Sequence, residues 1–152
     1  MQISVIEVAR HVAGIADACS GEATNATEHK VIDFMPGQSD EVDKGGTLRL
    51  GSYPCVIGDG TLMERCYGQK EITERHRHRY EFNNDYRDVL TKAGLVLSGI
   101  SPDGNLVETV ELEDHPFFLG VQYHPEFKSR PNRPHPVFKG FVEAALKNGK
   151  EE

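Results

Sequence analysis

The stretch VQYHPEF, residues 121–127, places His124 and Glu126 two residues apart, around Pro125 and behind an apolar run. Proline biases the residue before it away from helix, so the imidazole is displayed where a strand ends. Strand ends of α/β sheets are where ligands collect, because the loops there sit on a rigid scaffold. A carboxylate beside such a histidine can orient it as a general base for a nucleophile supplied from elsewhere. On spacing alone, a solvated turn remains the simpler reading.

A second stretch, ERHRHRYEFN at residues 74–83, alternates Arg75, Arg77 and Arg79 with His76 and His78. On an extended backbone the arginines share one face and the histidines the other. An arginine fork suits a carboxylate or phosphate; a solvated edge strand balanced by Glu71, Glu74 and Glu81 fits equally well. A zinc site from His76, His78 and His124 can be drawn, but no cysteine is spaced to complete it, and no metal is expected. The glycines of KGGTLRLG, residues 44–51, lack the lysine and hydroxyl that a phosphate loop carries after its last glycine.

The chain that must position these residues has 152 of them, enough for one domain with a real core. Hydrophobic residues make up 38% and charged residues 27%, and no apolar run approaches the ~18 residues that would span a bilayer. We expect no membrane partner. The N-terminal MQISVIEVARHVAGIAD is apolar only in stripes, unlike a signal peptide. Cys19, Cys55 and Cys66 are odd in number and lack paired metal spacing, which suits buried or incidental thiols in a reducing cytoplasm. A formal charge of -7 argues against broad phosphate contact, so no nucleic-acid partner is expected and any anion site must be local.

Apolar residues from Gln2 to Ala18 recur at three- and four-residue steps, predicting a helix with a wide buried face. It starts at residue one without a capping residue, as if in mid-element. Residues 19–44 read as a polar loop broken by a short strand at Lys30–Phe34. GGTLRLGSYPCVIG alternates Leu48, Leu50 and Tyr53 with Thr47, Arg49 and Ser52, as a half-buried strand does. LMERCYG reads as a helical turn, and NDYRDVLTKAG as a helix capped by Asn84 or Asp85 and stopped by Gly94. LVLSGIS, LVETVELE and FFLGVQYH read as three strands, and HPVFKGFVEAALKNGK as a closing helix with its Leu, Val and Phe residues in the core. That order belongs to an α/β layered domain.

Taken in order, GGTLRLG, ERHRHRYEFNN, LEDHPFFLGVQYHPEF and HPVFKGFVEAA closely resemble the C-terminal glutamine amidotransferase domain of CTP synthase, over nearly the whole chain. HPEF is shared by many class I amidotransferases, whereas GGTLRLG with RHRHRYE is specific to this one. The resemblance implies a flavodoxin-like α/β fold, a central sheet with flanking helices, of which residues 1–152 would be the C-terminal portion. It implies His124 as general base and acid and Glu126 as the residue that orients it. It further implies that Gln2, Glu22 and Arg79 contact L-glutamine, an arginine suiting the α-carboxylate and a glutamate the α-ammonium.

In that family a cysteine attacks the glutamine carboxamide, and the released ammonia travels to a synthetase domain. There it replaces the oxygen at position four of UTP, activated by Mg-ATP, with GTP as effector and a homotetramer as the assembly. The family's nucleophile sits in a G-x-C-L-G-M-Q elbow, and this chain begins at the closing MQ, which would put the cysteine three residues before Met1. The upstream strands, the oxyanion loop and the synthetase domain would be lacking too. The expectations are therefore no glutaminase activity for this chain alone, no cofactor of its own, and apolar helix and strand edges that favour aggregation. The alternatives are a non-catalytic glutamine-binding, decoy or regulatory remnant, and an anion or single-stranded nucleic-acid module working through RHRHR.

Overall fold

The computed structural model describes residues 1–24, 26–34 and 49–149. Lys44, Thr47 and Leu48 of the expected strand, the polar run with Pro36, Gly37, Asp40, Glu41 and Asp43, and Lys150 lie outside the described residues.

Helix α1, Gln2–His11, buries Val5, Ile6, Val8 and Ala9. It is shorter than its periodicity predicts: after Val12, Gly14 takes a φ of 76° and the chain turns. The face of α1 packs on a small sheet of β1 (Cys19–Ser20), β2 (Lys30–Phe34) and β5 (Tyr80–Phe82). β1 and β2 run parallel and β2 and β5 antiparallel. The larger sheet is wholly antiparallel in the order β4, β3, β6, β7, β8. Its strands are β3 (Arg49–Ile57), β4 (Glu71–His78), β6 (Leu95–Ile100), β7 (Val107–Leu112) and β8 (Leu119–Val121). Among the described residues the expected layered α/β arrangement is thus present, built from two curled sheets with flanking helices. Between the end of β4 and the start of β5 the chain passes from the larger sheet to the smaller across one residue, Arg79.

Three short or capped helices complete the layers. α2, Leu62–Tyr67, follows Thr61, whose hydroxyl accepts from the Glu64 amide at 3.1 Å, and ends at Gly68 in the left-handed region. Losing that cap should be felt: Thr61→Ala is expected to lower stability by about 1 kcal/mol, read from the urea midpoint at unchanged slope. Before α3, Arg87–Lys92, the cap is Asn83 rather than Asn84 or Asp85; its carbonyl accepts from the Asp85 amide and opens a single 3-10 turn. The physical reason is that an Asn side chain reaches the amide two residues on, which places the cap one residue earlier than the sequence reading put it.

The closing helix α4, Pro136–Asn148, is capped by His135, whose ring accepts from the Val137 amide. Its apolar residues do not all reach the core as expected. Val137 is buried, whereas Phe138, Phe141, Val142 and Leu146 are 40–62% exposed and line one face. Helical geometry explains this: residues 138, 141, 142 and 146 project together, away from the apolar cluster around Met63 that Val137 joins. Among the described residues, no helix is long and apolar enough to cross a membrane.

Candidate active site

β3 departs from the expected pattern in a way that shapes the site. Its alternation inverts at the start: Arg49 is 6% exposed and Leu50 is 52% exposed. The charged residue turns inward because its partners wait there. Arg49 contacts Glu108 of β7 directly, lies 3.8 Å from Glu81, and stacks its guanidinium 4.5 Å over the Tyr53 ring. In register, Arg49 faces His78 across β3 and β4, and Gly51 faces His76. The β4 alternation is as expected, with Arg75 and Arg77 outward and His76 and His78 inward, so this edge strand presents imidazoles to the interior.

Those imidazoles are neutral core groups. Burial, then Arg49 and the neighbouring ring, push His76 down to about 3, and burial and Arg49 push His78 down to about 4. The two rings meet at 2.8 Å between His76 Nδ1 and His78 Nε2. Burial drives the Glu81 carboxyl up to about 7 against the opposing bond from Gln122, and raises Glu108 against the pull of Arg49. His76, His78 and Glu108 offer ligand atoms within 4.8 Å of one another. The Arg49 guanidinium already provides the cation that Glu108 faces. The third histidine of the zinc arrangement drawn from sequence, His124, instead turns its Nδ1 to Glu126.

β8 leads straight into the candidate pair. The backbone of His124 is extended, and its amide donates to the Arg75 carbonyl of β4 at 2.9 Å. Pro125 then opens a 3-10 turn, Pro125–Phe127, that folds Glu126 back. His124 Nδ1 lies 2.7 Å from Glu126 Oε1, and the imidazole stacks on Phe127 with centroids 5.0 Å apart. The slight burial of Glu126 pushes its carboxyl up, but its own backbone amide and His124 outweigh that and hold it below the usual range. An ionised carboxylate only accepts, so in the neutral ring Nδ1 carries the proton and Nε2 is left with a free lone pair. That is the protonation pattern of a general base.

Gln2, at the head of α1, donates to the Tyr80 carbonyl at 3.1 Å and approaches Gln122 Oε1 at 3.5 Å. Gln122, two residues before His124, donates to the same carbonyl at 2.8 Å and to Glu81 at 3.1 Å. Gln2 is thereby tied to the strand that delivers His124. Arg79, at the crossing between sheets, lies over the rings of Phe34 and Tyr80 at 5.6 and 5.2 Å. Glu22 follows β1, its amide donating to the Ser20 hydroxyl oxygen at 3.1 Å. Arg79 and Glu22 therefore belong to the small sheet, and among the described residues neither hydrogen-bonds to His124 or Glu126.

The thiols stand apart from the pair. Cys55 is fully buried in β3, and burial, with Glu108, pushes it up to about 12, the reverse of an activated nucleophile. Burial also raises Cys66. No hydrogen bond among the described residues joins a cysteine to His124.

Residues 1–144 match the family model for glutamine amidotransferase class-I. The chain belongs to the class-I glutamine amidotransferases. Within that family it is similar to CTP synthase from Carboxydothermus hydrogenoformans, 58% identical over 150 residues that make up 99% of this chain and 28% of the relative. CTP synthase from Staphylococcus aureus strain JH9 is 58% identical over 97% of this chain, and the chain spans 27% of that relative's length. The solved Trypanosoma brucei CTP synthase glutaminase domain with bound acivicin superposes with a TM-score of 0.90 at 38% identity. That superposition covers 97% of this chain and 57% of the other. The amidotransferase membership gives the pair at the end of β8 its chemical context.

What sequence reasoning missed lies behind the pair. The Arg49–Glu108–Glu81 cluster had one signal, an arginine standing in phase with Tyr53 and Cys55 on one strand, which the apolar-in reading set aside. A second buried group, Glu74 with Tyr67, Tyr123 and His135, had none: its members come from four separate segments.

Proposed function

We propose that this chain is the glutamine-handling part of a glutamine-hydrolysing CTP synthase, with His124 as general base and acid and Glu126 as its orienting carboxylate. The observation that carries the reading is the 2.7 Å contact between His124 Nδ1 and Glu126 Oε1, in a family whose members move ammonia from glutamine. With Nδ1 held by the carboxylate, Nε2 can take a proton from an attacking thiol and return it to the leaving ammonia. In this reading Gln2, Glu22 and Arg79 hold the amino-acid end of L-glutamine. Arg79 suits the α-carboxylate, being a charged fork supported on two aromatic rings. The reading takes with it a cytoplasmic location and a synthetase domain that binds UTP and Mg-ATP, with GTP as effector and a homotetramer as the working assembly.

The thiol is the decisive part. None of Cys19, Cys55 and Cys66 serves as nucleophile in this reading; the attacking thiol is supplied from outside these residues. Glutamate release from L-glutamine is expected to be indistinguishable between the chain and its His124→Ala variant. Extension through the upstream frame should then create an activity that His124→Ala removes. A rate from the unextended chain above that variant, or an extended protein indifferent to His124, would defeat the assignment.

A further inference from the structure

We propose that Glu74 is a positioning residue for the His124–Glu126 pair, acting through Lys128 and His135; this rests on the glutaminase reading of that pair. The segment carrying Glu126 leaves β8 and returns as α4, and Glu126 itself is 56% exposed. His124 is its only side-chain hydrogen-bond partner among the described residues. Something else must hold the turn in place.

The holding is done from β4. At one end, the His124 amide bonds to the Arg75 carbonyl at 2.9 Å. Past the turn, the Lys128 ammonium donates to the Thr73 carbonyl and lies 3.5 Å from Glu74 Oε1. At the far end His135 Nε2 reaches the same oxygen at 3.1 Å, and the Tyr67 hydroxyl donates to it at 3.0 Å. The Val137 amide donates to His135 Nδ1 at 3.3 Å, so the ring proton sits on Nε2 and points at Glu74. Glu74 is 2% exposed. Burial alone would raise its carboxyl, but His135, Lys128 and Tyr67 outweigh it and hold Glu74 below its usual value, ionised. One buried charge thus fastens the loop at two points after Glu126 while the neighbouring Arg75 carbonyl holds it before, and a buried charge keeps its partners because separation would leave it uncompensated.

The test is nitrogen NMR of the His124 ring in the 15N-labelled chain, at a pH where the ring is neutral. In the wild type Nδ1 carries the proton. Glu126→Gln should return the ring to the Nε2-protonated form that free histidine prefers. Glu74→Gln should do the same in part, with Nδ1–H lost as the dominant species while the amide spectrum away from residues 124–135 is kept. Lys128→Met, a change at a half-exposed residue, should produce a smaller loss and decides the matter if Glu74→Gln does not fold. A merely structural role would lower the melting temperature and leave the tautomer alone. Folded Glu74→Gln or Lys128→Met chains that keep the wild-type share of Nδ1–H overturn the proposal. An unchanged ring in Glu126→Gln sinks the orienting role of Glu126 itself, and the proposal with it.

Discussion

Arg49→Met should destabilise the chain by about 3–5 kcal/mol, the cost of stripping one partner from a buried ion cluster. The guanidinium touches Glu108, which is fully buried, and lies 3.8 Å from Glu81 at 1% exposure. Without it, two carboxylates face each other in a low-dielectric interior with two neutral imidazoles that cannot compensate them. Urea denaturation would read the loss as a lower midpoint. The cost should be larger at pH 8 than at pH 5, because Glu81, already raised to about 7, can be protonated at the lower pH. Adding Glu108→Gln should recover much of the loss, since the second substitution removes the charge that the first orphaned. A loss under about 1 kcal/mol at pH 8 would mean the cluster is solvated or already protonated, against the burial seen here.

Stability should also fall on acidification between pH 6.5 and 4.5, by about 1 kcal/mol per pH unit. His76 and His78, depressed to about 3 and 4 chiefly by burial, stay neutral in the folded chain, whereas in the unfolded chain they take up protons below ~6.5. Their contribution is complete above pH 6.5 and is lost as pH falls toward 4. Glu81 acts in the opposite sense. Its raised carboxyl keeps a proton that the unfolded chain has released, a contribution complete below ~4.5 and lost as pH rises through 7. Two histidines against one carboxyl leave a net proton uptake on unfolding in that window, and the raised Glu108 trims the slope. Urea midpoints at pH 6.5, 5.5 and 4.5 would measure it, and His78→Gln should flatten the dependence. Stability that rises on acidification in the wild type would contradict the neutral-histidine interior.

The two buried clusters divide the work around the candidate site. Arg49 with its carboxylates ties β3 to β7 and β5 beside the histidine face of β4. Glu74 fastens the loop that carries Glu126. Neither cluster touches the pair directly, yet β4 contributes to both, and its Arg75 carbonyl receives the His124 amide. An edge strand whose arginines suited a solvated rim as well as an anion site is therefore the element on which the pair is hung.

Much of this was legible along the chain. β2 falls on the residues where an apolar pair between polar neighbours marked it, and β6, β7 and β8 fall where runs of β-formers between turn signals put them. The turn that brings His124 to Glu126 was legible because the proline between them restricts the local backbone, whereas the β4 contacts that hold the turn in place were not. The alternation of β4 was equally plain, since a two-residue period follows from the extended backbone itself. What tertiary structure alone decided was which side of each element faces inward. Arg49 is inside and Leu50 outside because Glu81 and Glu108, distant in sequence, converge on the arginine. Phe138, Phe141, Val142 and Leu146 are outside because α4 packs on α2 through another side, with Val137 in the apolar cluster around Met63. Periodicity measures how residues are spaced around an element. It does not record where the charges and surfaces of other elements will stand, and burial of a polar group depends entirely on whether such a partner arrives.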